Sequence, residues 1–226
     1  MTATTAIEVT RNPRARRTRL SVDRATGSVR LTLPPRAPLG PALRWAEGKA
    51  AWIAGERARL PRPRPFVPGE MIPVADQFLT IVHDATAPRR AARQGETLRF
   101  GGPAEACAAR ITAWLRAEAL ALLSAETGEF AERIGVPVSG VRVGDFRSRW
   151  GSCSSSGAIA YSWRLILAPG WVRRAAVAHE VAHRRHMDHG PRFHALVATM
   201  VGGDGDRARL WLRREGPGLH WFGRAS

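Results

Sequence analysis

The sequence predicts an α+β protein in which a β-rich N-terminal segment is followed by a mainly helical one. Before residue 100, short runs of alternating apolar and polar residues are separated by turns that contain glycine and proline. From Ala104 the composition becomes helical, with few helix-breaking residues. Gly101-Gly102-Pro103 separates the two compositions. We therefore predict a β-rich basic subdomain with one helix over residues 1–102 and a second domain over residues 103–226.

The first segment contains three predicted strands, one predicted helix and a further strand-rich stretch. Alternating residues indicate strands at 7–9, 20–22 and 29–33. Apolar residues that recur near a 3.6-residue period indicate a helix over 40–60. Residues 66–100 return to the character of strands and turns.

The second segment is predicted to combine helices with a short pair of strands. The predicted helices are 104–134, 171–186, 191–201 and 206–214, and the predicted strands are 141–143 and 159–167. The turn-forming run Ser154-Ser155-Ser156-Gly157 lies between the two strands.

Composition excludes several classes of protein. A chain of 226 residues with 44% hydrophobic and 24% charged residues is typical of a globular protein and not of a disordered one. The two cysteines make no disulfide framework, which favours a reducing compartment. The chain lacks both an N-terminal apolar run and a stretch of roughly 20 apolar residues. We therefore expect a soluble cytoplasmic protein with no membrane contact.

The charge of the chain points toward polyanions. The sequence has 35 basic and 19 acidic residues, a formal net charge of +16, and Lys49 is its only lysine. Residues 1–64 hold 14 basic and four acidic residues, so most of the excess lies in the N-terminal region. This Arg-rich region is a candidate for non-specific contact with nucleic acid or nucleotides. A general bias toward arginine and alanine in the genome explains the same numbers equally well.

The run His179-Glu180-Val181-Ala182-His183 carries the chemistry of the chain. It follows residues of helical composition, so His179 and His183 lie one turn apart on one face and can point at a common metal ion. Glu180 lies about 100° further around the helix, where it can reach a water molecule on the open side of that metal. This arrangement places a general base beside a Lewis acid.

Three residues are candidates for the third metal ligand. His189 lies ten residues after His179 in a turn that brings the chain back, as in zinc peptidases with the HExxHxxGxxH spacing, although His186 stands at the glycine position of that motif. His186, at i+7 on the same helix, and Glu215, a downstream carboxylate, are alternatives. We favour His189, because a ligand at i+7 would lie roughly 10 Å along the helix axis.

Several motifs, taken in order, resemble those of one known family. They are Arg149-Trp150-Gly151-Ser152-Cys153, then Ser162-Trp163-Arg164, then the HExxH run, then Asp188-His189-Gly190-Pro191-Arg192-Phe193. Together they are similar to the YgjP-like metal-dependent hydrolases, relatives of the SprT-like zinc peptidases. The resemblance covers nearly the whole chain and is strongest over residues 147–193. The family usually has Asn, Asn and Ser where this chain has Ser162, Asp188 and Gly190.

The resemblance implies one zinc ion per chain, held by His179, His183 and His189, with Glu180 as the catalytic acid and base. It also implies a zincin-like metallopeptidase domain over residues 103–226, with a small antiparallel sheet beside the HExxH helix. The departures at Ser162, Asp188 and Gly190 involve none of these four residues.

Trp150, Gly151 and Ser152 are candidates for the substrate cleft. Zinc peptidases commonly have an exposed strand edge beside the active-site helix that pairs with the substrate backbone. Residues 148–152, followed by a hairpin, fit such an edge. The alternative is a core strand in which Trp150 and Trp163 simply pack.

The sequence therefore predicts a metallopeptidase that uses a zinc-activated water and Glu180 as general base. Its partner would be a peptide or protein substrate, and Tyr161 and Arg164 are considered as oxyanion donors. Two other functions stay open. One is a nucleotide pyrophosphatase that uses the same metal site, and the other is a basic nucleic-acid-associated module with a structural metal.

Overall fold

The α+β class predicted from the sequence is confirmed, since strands dominate the N-terminal part and helices with small sheets follow. The computed structural model describes residues 6–225. The chain divides into two units between Arg62 and Pro63, and each is described here by itself. The predicted domain boundary between residues 102 and 103 lies inside the second unit, and it stays a prediction.

The first unit is a three-stranded sheet with two helices. Its elements are β1 (Ile7–Arg11), β2 (Arg19–Val22), β3 (Val29–Leu33), α1 (Leu39–Glu47) and α2 (Ala50–Ala58). β3 is the central strand, parallel to β1 and antiparallel to β2. Leu31 and Leu33 of β3 are fully buried and pack with Ala42 and Ala46 of α1.

The helix predicted over 40–60 is two helices, and the break lies at Gly48 and Lys49. The N–H of Lys49 bonds to the carbonyl of Ala46, three residues back, so the last turn of α1 tightens. Lys49 then leaves helical geometry, with φ −98° and ψ 18°. Glycine costs about 1 kcal/mol in a helix interior, which explains why the chain breaks there.

The second unit contains two sheets and five helices among its described residues. The strands are β4 (Met71–Val74), β5 (Gln77–His83), β6 (Ala92–Gln94), β7 (Thr97–Phe100), β8 (Gly140–Gly144), β9 (Gly151–Cys153) and β10 (Ala158–Ser162). The helices are α3 (Cys107–Ile134), α4 (Gly170–Ala182), α5 (Pro191–Val201), α6 (Gly205–Arg214) and α7 (Gly216–Leu219), with short 3₁₀ turns at Ala104–Ala106 and Trp163–Leu167.

The two sheets of this unit are both mixed. The larger has the order β4-β5-β7-β6, and the smaller has the order β8-β10-β9. In the smaller sheet β9 pairs antiparallel with β10, as expected, but β8 pairs parallel with it. The strand predicted over 159–167 ends at Ser162, because a short apolar run suits a buried helical turn as well as a buried strand.

The helix that carries the HExxH run, α4, lies at the centre of the second unit. It contacts α3, α5, α6 and β9, and most of its residues are buried. The predicted helix over 171–186 is shorter, because His183 caps α4 and the amides of Arg184 and Arg185 bond back to carbonyls only three residues away. A charged residue in the buried part of a helix needs to be paired.

Arg173 of α4 and Glu126 of α3 form that pair. The side chains of both are 6% exposed, and Arg173 Nε donates to Glu126 Oε1 at 3.0 Å. Burial raises the pKa of Glu126, and the guanidinium of Arg173 opposes that rise. The pair fixes the position of α4 relative to α3, because moving either helix would leave a buried charged group without its partner.

The turn between β4 and β5 holds the N-terminus of α4. Ala75 and Asp76 form a two-residue hairpin loop, and both have positive φ, 48° and 67°. The N–H of Ala75 donates to Ile166 at 2.8 Å, and Asp76 Oδ1 accepts the N–H of Gly170 at 2.6 Å. A carboxylate at this position also favours the positive end of the helix dipole.

No helix within residues 6–225 combines the length and the apolar character that crossing a bilayer requires.

Replacing Glu126 with alanine removes the main acceptor of a buried guanidinium. We expect the free energy of unfolding to fall by about 3 kcal/mol. Glu129→Ala is the matched control on the same helix, since it removes an exposed partner of Arg174 and should cost less than about 1 kcal/mol. Urea unfolding followed by circular dichroism measures both losses, and equal losses would contradict the role of the buried pair.

Candidate metal centre

Three histidine side chains of the second unit converge on one point. His179 comes from the last turn of α4, His183 from its C-terminal cap, and His189 from the loop before α5. One ring nitrogen from each lies within 4.8 Å of the others. The Nε2 atoms of His179 and His189 are 3.2 Å apart. The structure thus brings together the three residues that the sequence nominated as ligands.

The tautomer of His183 is set by a backbone carbonyl. Nδ1 of His183 lies 3.0 Å from the carbonyl oxygen of His186, which can only accept, so Nδ1 carries the proton. Nε2 of His183 is therefore left with a free lone pair. A hydrogen bond to the far nitrogen is the usual way in which a ligand histidine is oriented.

The ring of Phe193 packs against all three imidazoles. Its centroid lies 4.6 Å from that of His183 and 4.8 Å from those of His179 and His189, and it is fully buried. Sequence reasoning gave Phe193 no role. Its position, four residues after His189 in the first turn of the next helix, was the available signal.

Two of the three imidazoles favour their neutral form. Burial, then the neighbouring His183 and His189, lower the pKa of His179 to about 4. Burial also lowers the pKa of His183. A metal ligand must be unprotonated, and three converging imidazole nitrogens are a donor set that fits zinc or another borderline divalent ion.

The two alternatives for the third ligand do not join this group. His186 contributes its carbonyl oxygen and not its ring. Glu215 caps the end of α6. Within residues 6–225 the metal-ligating group holds neither side chain. Asp188 accepts the N–H of Gly190 at 3.4 Å, which closes the turn that carries His189.

The carboxylate of Glu180 packs closely against the backbone of Gly151; this close contact is called the Gly151 seat. A β-carbon on Gly151 would lie 2.5 Å from Oε1 of Glu180, so only glycine allows the carboxylate to reach this place. Burial raises the pKa of Glu180 to about 7, and the charge of Arg149 acts in the opposite direction. A carboxyl group that titrates near neutrality is suited to accept and return a proton.

Gly151 begins β9, which is an edge strand of its sheet. The N–H of Ser162 donates to the carbonyl of Trp150 at 2.8 Å, and the N–H of Ser154 donates to the carbonyl of Ala158 at 2.9 Å. In an antiparallel pair, bonded and non-bonded positions alternate, so the N–H and C=O groups of Gly151 and Cys153 point away from β10. These groups form a free backbone edge beside Glu180.

The other two cleft candidates differ in their surroundings. Trp150 is partly buried, packs closely on Gly216, and has its ring centroid 5.3 Å from that of His220. It also borders a cavity of about 590 Å³ that opens beside His179 and Glu180, between α4, α5 and α6. Ser152 of β9 lies opposite Ala160 of β10 and is not part of the lining of this cavity.

The two residues considered as oxyanion donors lie outside the lining of the cavity. Tyr161 is fully buried, and its hydroxyl lies 3.0 Å from that of Thr127. Arg164 pairs with Asp145 at 3.0 Å and donates to the carbonyl oxygens of Leu219 and Phe222. Neither side chain borders the cavity.

Comparison with known proteins agrees with this geometry. A protein-family model described as YgjP-like, metallopeptidase domain, matches residues 16–215, a span that includes the three histidines and Glu180. No curated protein and no solved structure matches the chain. Since the matched residues make up most of the chain, the resemblance seen in the sequence is confirmed. The chain belongs to the YgjP-like metallopeptidase family.

Proposed function

We propose that the protein is a zinc-dependent peptidase with one metal ion per chain. The observation that carries this proposal is the convergence of three imidazoles beside a buried carboxylate and a free strand edge. His179, His183 and His189 would hold the ion through their ring nitrogens. When bound, zinc supplies a Lewis acid for the scissile carbonyl and makes a nearby water molecule more acidic.

Glu180 is the proposed acid and base. Its carboxylate Oε1 accepts a proton from the attacking water and then returns it to the leaving nitrogen. The seat at Gly151 holds the carboxylate beside the open edge of β9, where a substrate would lie.

The edge of β9 is the proposed docking strand. An extended peptide can bond to the outward N–H and C=O groups of Gly151 and Cys153 and so add a strand to the sheet. That pairing would place a substrate peptide bond next to Glu180.

The cavity beside the site can hold part of a peptide substrate. Ala176, Phe193, Val197 and Leu212 give it a largely apolar wall, which suits an apolar side chain. The predicted contact with nucleic acid finds no support in the site or the family, and it stays a prediction.

Removing the imidazole of His189 should abolish tight metal binding. We expect His189→Ala to raise the zinc dissociation constant by at least about 100-fold. Changing a residue that only orients a ligand costs about 10–100-fold, and this change removes the ligand itself. His186→Ala is the matched control, since only the backbone carbonyl of His186 serves the site. Competition with a chromogenic chelator measures both. Equal zinc affinity in the two variants would rule out His189 as a ligand.

Glu180→Gln should keep zinc and lose turnover. We expect hydrolysis of fluorescein-labelled casein to fall by about 10²–10⁴-fold, because the amide cannot accept the proton. Glu215→Gln, a carboxylate outside the donor group, should retain normal activity. If Glu180→Gln cleaves casein as fast as the wild type, Glu180 is not the general base. Release of pyrophosphate from nucleoside triphosphates in place of casein cleavage would favour the pyrophosphatase.

Gly151→Ala should displace the carboxylate of Glu180. We expect kcat/KM for casein to fall by about 10–100-fold with zinc content unchanged, because small misplacements of a reacting group carry costs of that size. Gly140→Ala adds the same methyl group in the same sheet, where nothing lies within 4 Å of it, and should have no effect. If the two alanine variants hydrolyse casein equally well, the close contact between Gly151 and Glu180 is not required for catalysis.

A further inference from the structure

The cavity beside the metal centre is far larger than hydrolysis alone requires. Its volume of about 590 Å³ lies within the range of pockets that bind small molecules, about 300–1,000 Å³. It adjoins His179 and Glu180, so whatever fills it lies directly beside the bond to be cleaved.

Small residues on three facing helices create this space. Ala176 of α4, Ala198 of α5 and Ala208 of α6 all border the cavity, where longer side chains would fill it. Val197 and Leu212 add apolar surface between them. An apolar space of this size favours a large aliphatic or aromatic side chain, because burying it removes apolar area from water at both surfaces.

The charged groups of the cavity are distributed unevenly along α6. Asp206, Arg209 and Arg213 border it at positions i, i+3 and i+7, on one face of the helix. Arg209 donates to Asp206 at 3.1 Å, so these two charges offset each other at the N-terminal end of α6. Arg213 has no such acidic neighbour in the cavity lining, whose remaining carboxylate is the buried Glu180.

Arg213 borders the same cavity as Trp150 and Gly151. Gly151 begins β9, whose outward N–H and C=O groups form the free edge. A peptide aligned with β9 would therefore lie beside the cavity that Arg213 also borders. A carboxylate on such a peptide can be bound there by the guanidinium of Arg213.

We propose that the cavity selects peptides that carry a large apolar side chain beside the scissile bond and a carboxylate that Arg213 binds. The inference rests on the proposed peptidase function and names its substrate class. The carboxylate has two sources, the free C-terminus of a peptide or the side chain of an Asp or Glu. Both would bind the guanidinium through charge-assisted hydrogen bonds.

Peptide binding to zinc-loaded Glu180→Gln tests the inference without turnover. The probes are fluorescent peptides that vary Leu, Phe or Ala at one position and end in a free carboxylate, a C-terminal amide, or an amide preceded by Asp. We expect the Phe and Leu peptides with a carboxylate to bind at least about 10-fold more tightly than the Ala peptide or the plain amide. The free-carboxylate and Asp arms distinguish the two sources.

Variants made in the Glu180→Gln background separate the two parts of the cavity. Arg213→Gln should remove the preference for a carboxylate, whereas Arg214→Gln, its neighbour in a different surface groove, should not. Ala176→Leu and Ala198→Phe should each weaken binding of the Phe peptide by about 10-fold, whereas Ala195→Phe, outside the cavity lining, should not. Two cavity variants keep the test decisive if one of them fails to fold.

Equal binding of the Phe, Leu and Ala peptides, or an equal effect of Arg213→Gln and Arg214→Gln, would overturn the inference. Failure of the proposed function is distinguishable, since it would appear as no cleavage by the zinc-loaded wild type of peptides that Glu180→Gln binds.

Discussion

The site depends on the burial of α4 at one fixed depth among its neighbours. Most of α4 is buried, and Arg173 carries a charge into this interior. Glu126 satisfies that charge at 3.0 Å, and Asp76 approaches the same guanidinium at 3.6 Å. Because an unpaired buried charge costs several kcal/mol, α4 cannot slide or rotate without losing these contacts. The imidazoles and Glu180 inherit their positions from this restraint.

The same restraint explains how a carboxylate and three imidazoles share so small a space. Glu180 approaches β9 closely only because residue 151 has no side chain, and the ring of Phe193 packs against all three imidazoles. Gly151 leaves space for the carboxylate, and Phe193 gives the imidazoles a flat packing surface. The arrangement is therefore preorganised by packing, so little reorganisation is needed when a ligand binds.

The convergence of the histidines could be predicted in part from the sequence because the geometry of His179 and His183 is local. A separation of four residues on a helix places two histidines on one face, whatever the rest of the fold does. The choice of His189 over His186 was also local, since it depended on the length of a helical turn. The seat of Glu180 and the ion pair of Arg173 were not predictable in this way. They join residues 29 and 47 positions apart, and no spacing rule links such pairs. The 3₁₀ turn at Trp163–Leu167 was missed because an apolar run has no period of its own.

The carbonyl of His186 has a consequence for how the site can vary among relatives. It orients His183 through a main-chain atom, which every amino acid supplies. The side chain at this position is therefore free to change, provided that the backbone can form the turn after α4. A histidine can stand here where related zinc peptidases have glycine, with no loss to the metal centre. A comparison of side chains would not detect this contribution, because it comes from the conformation of the backbone.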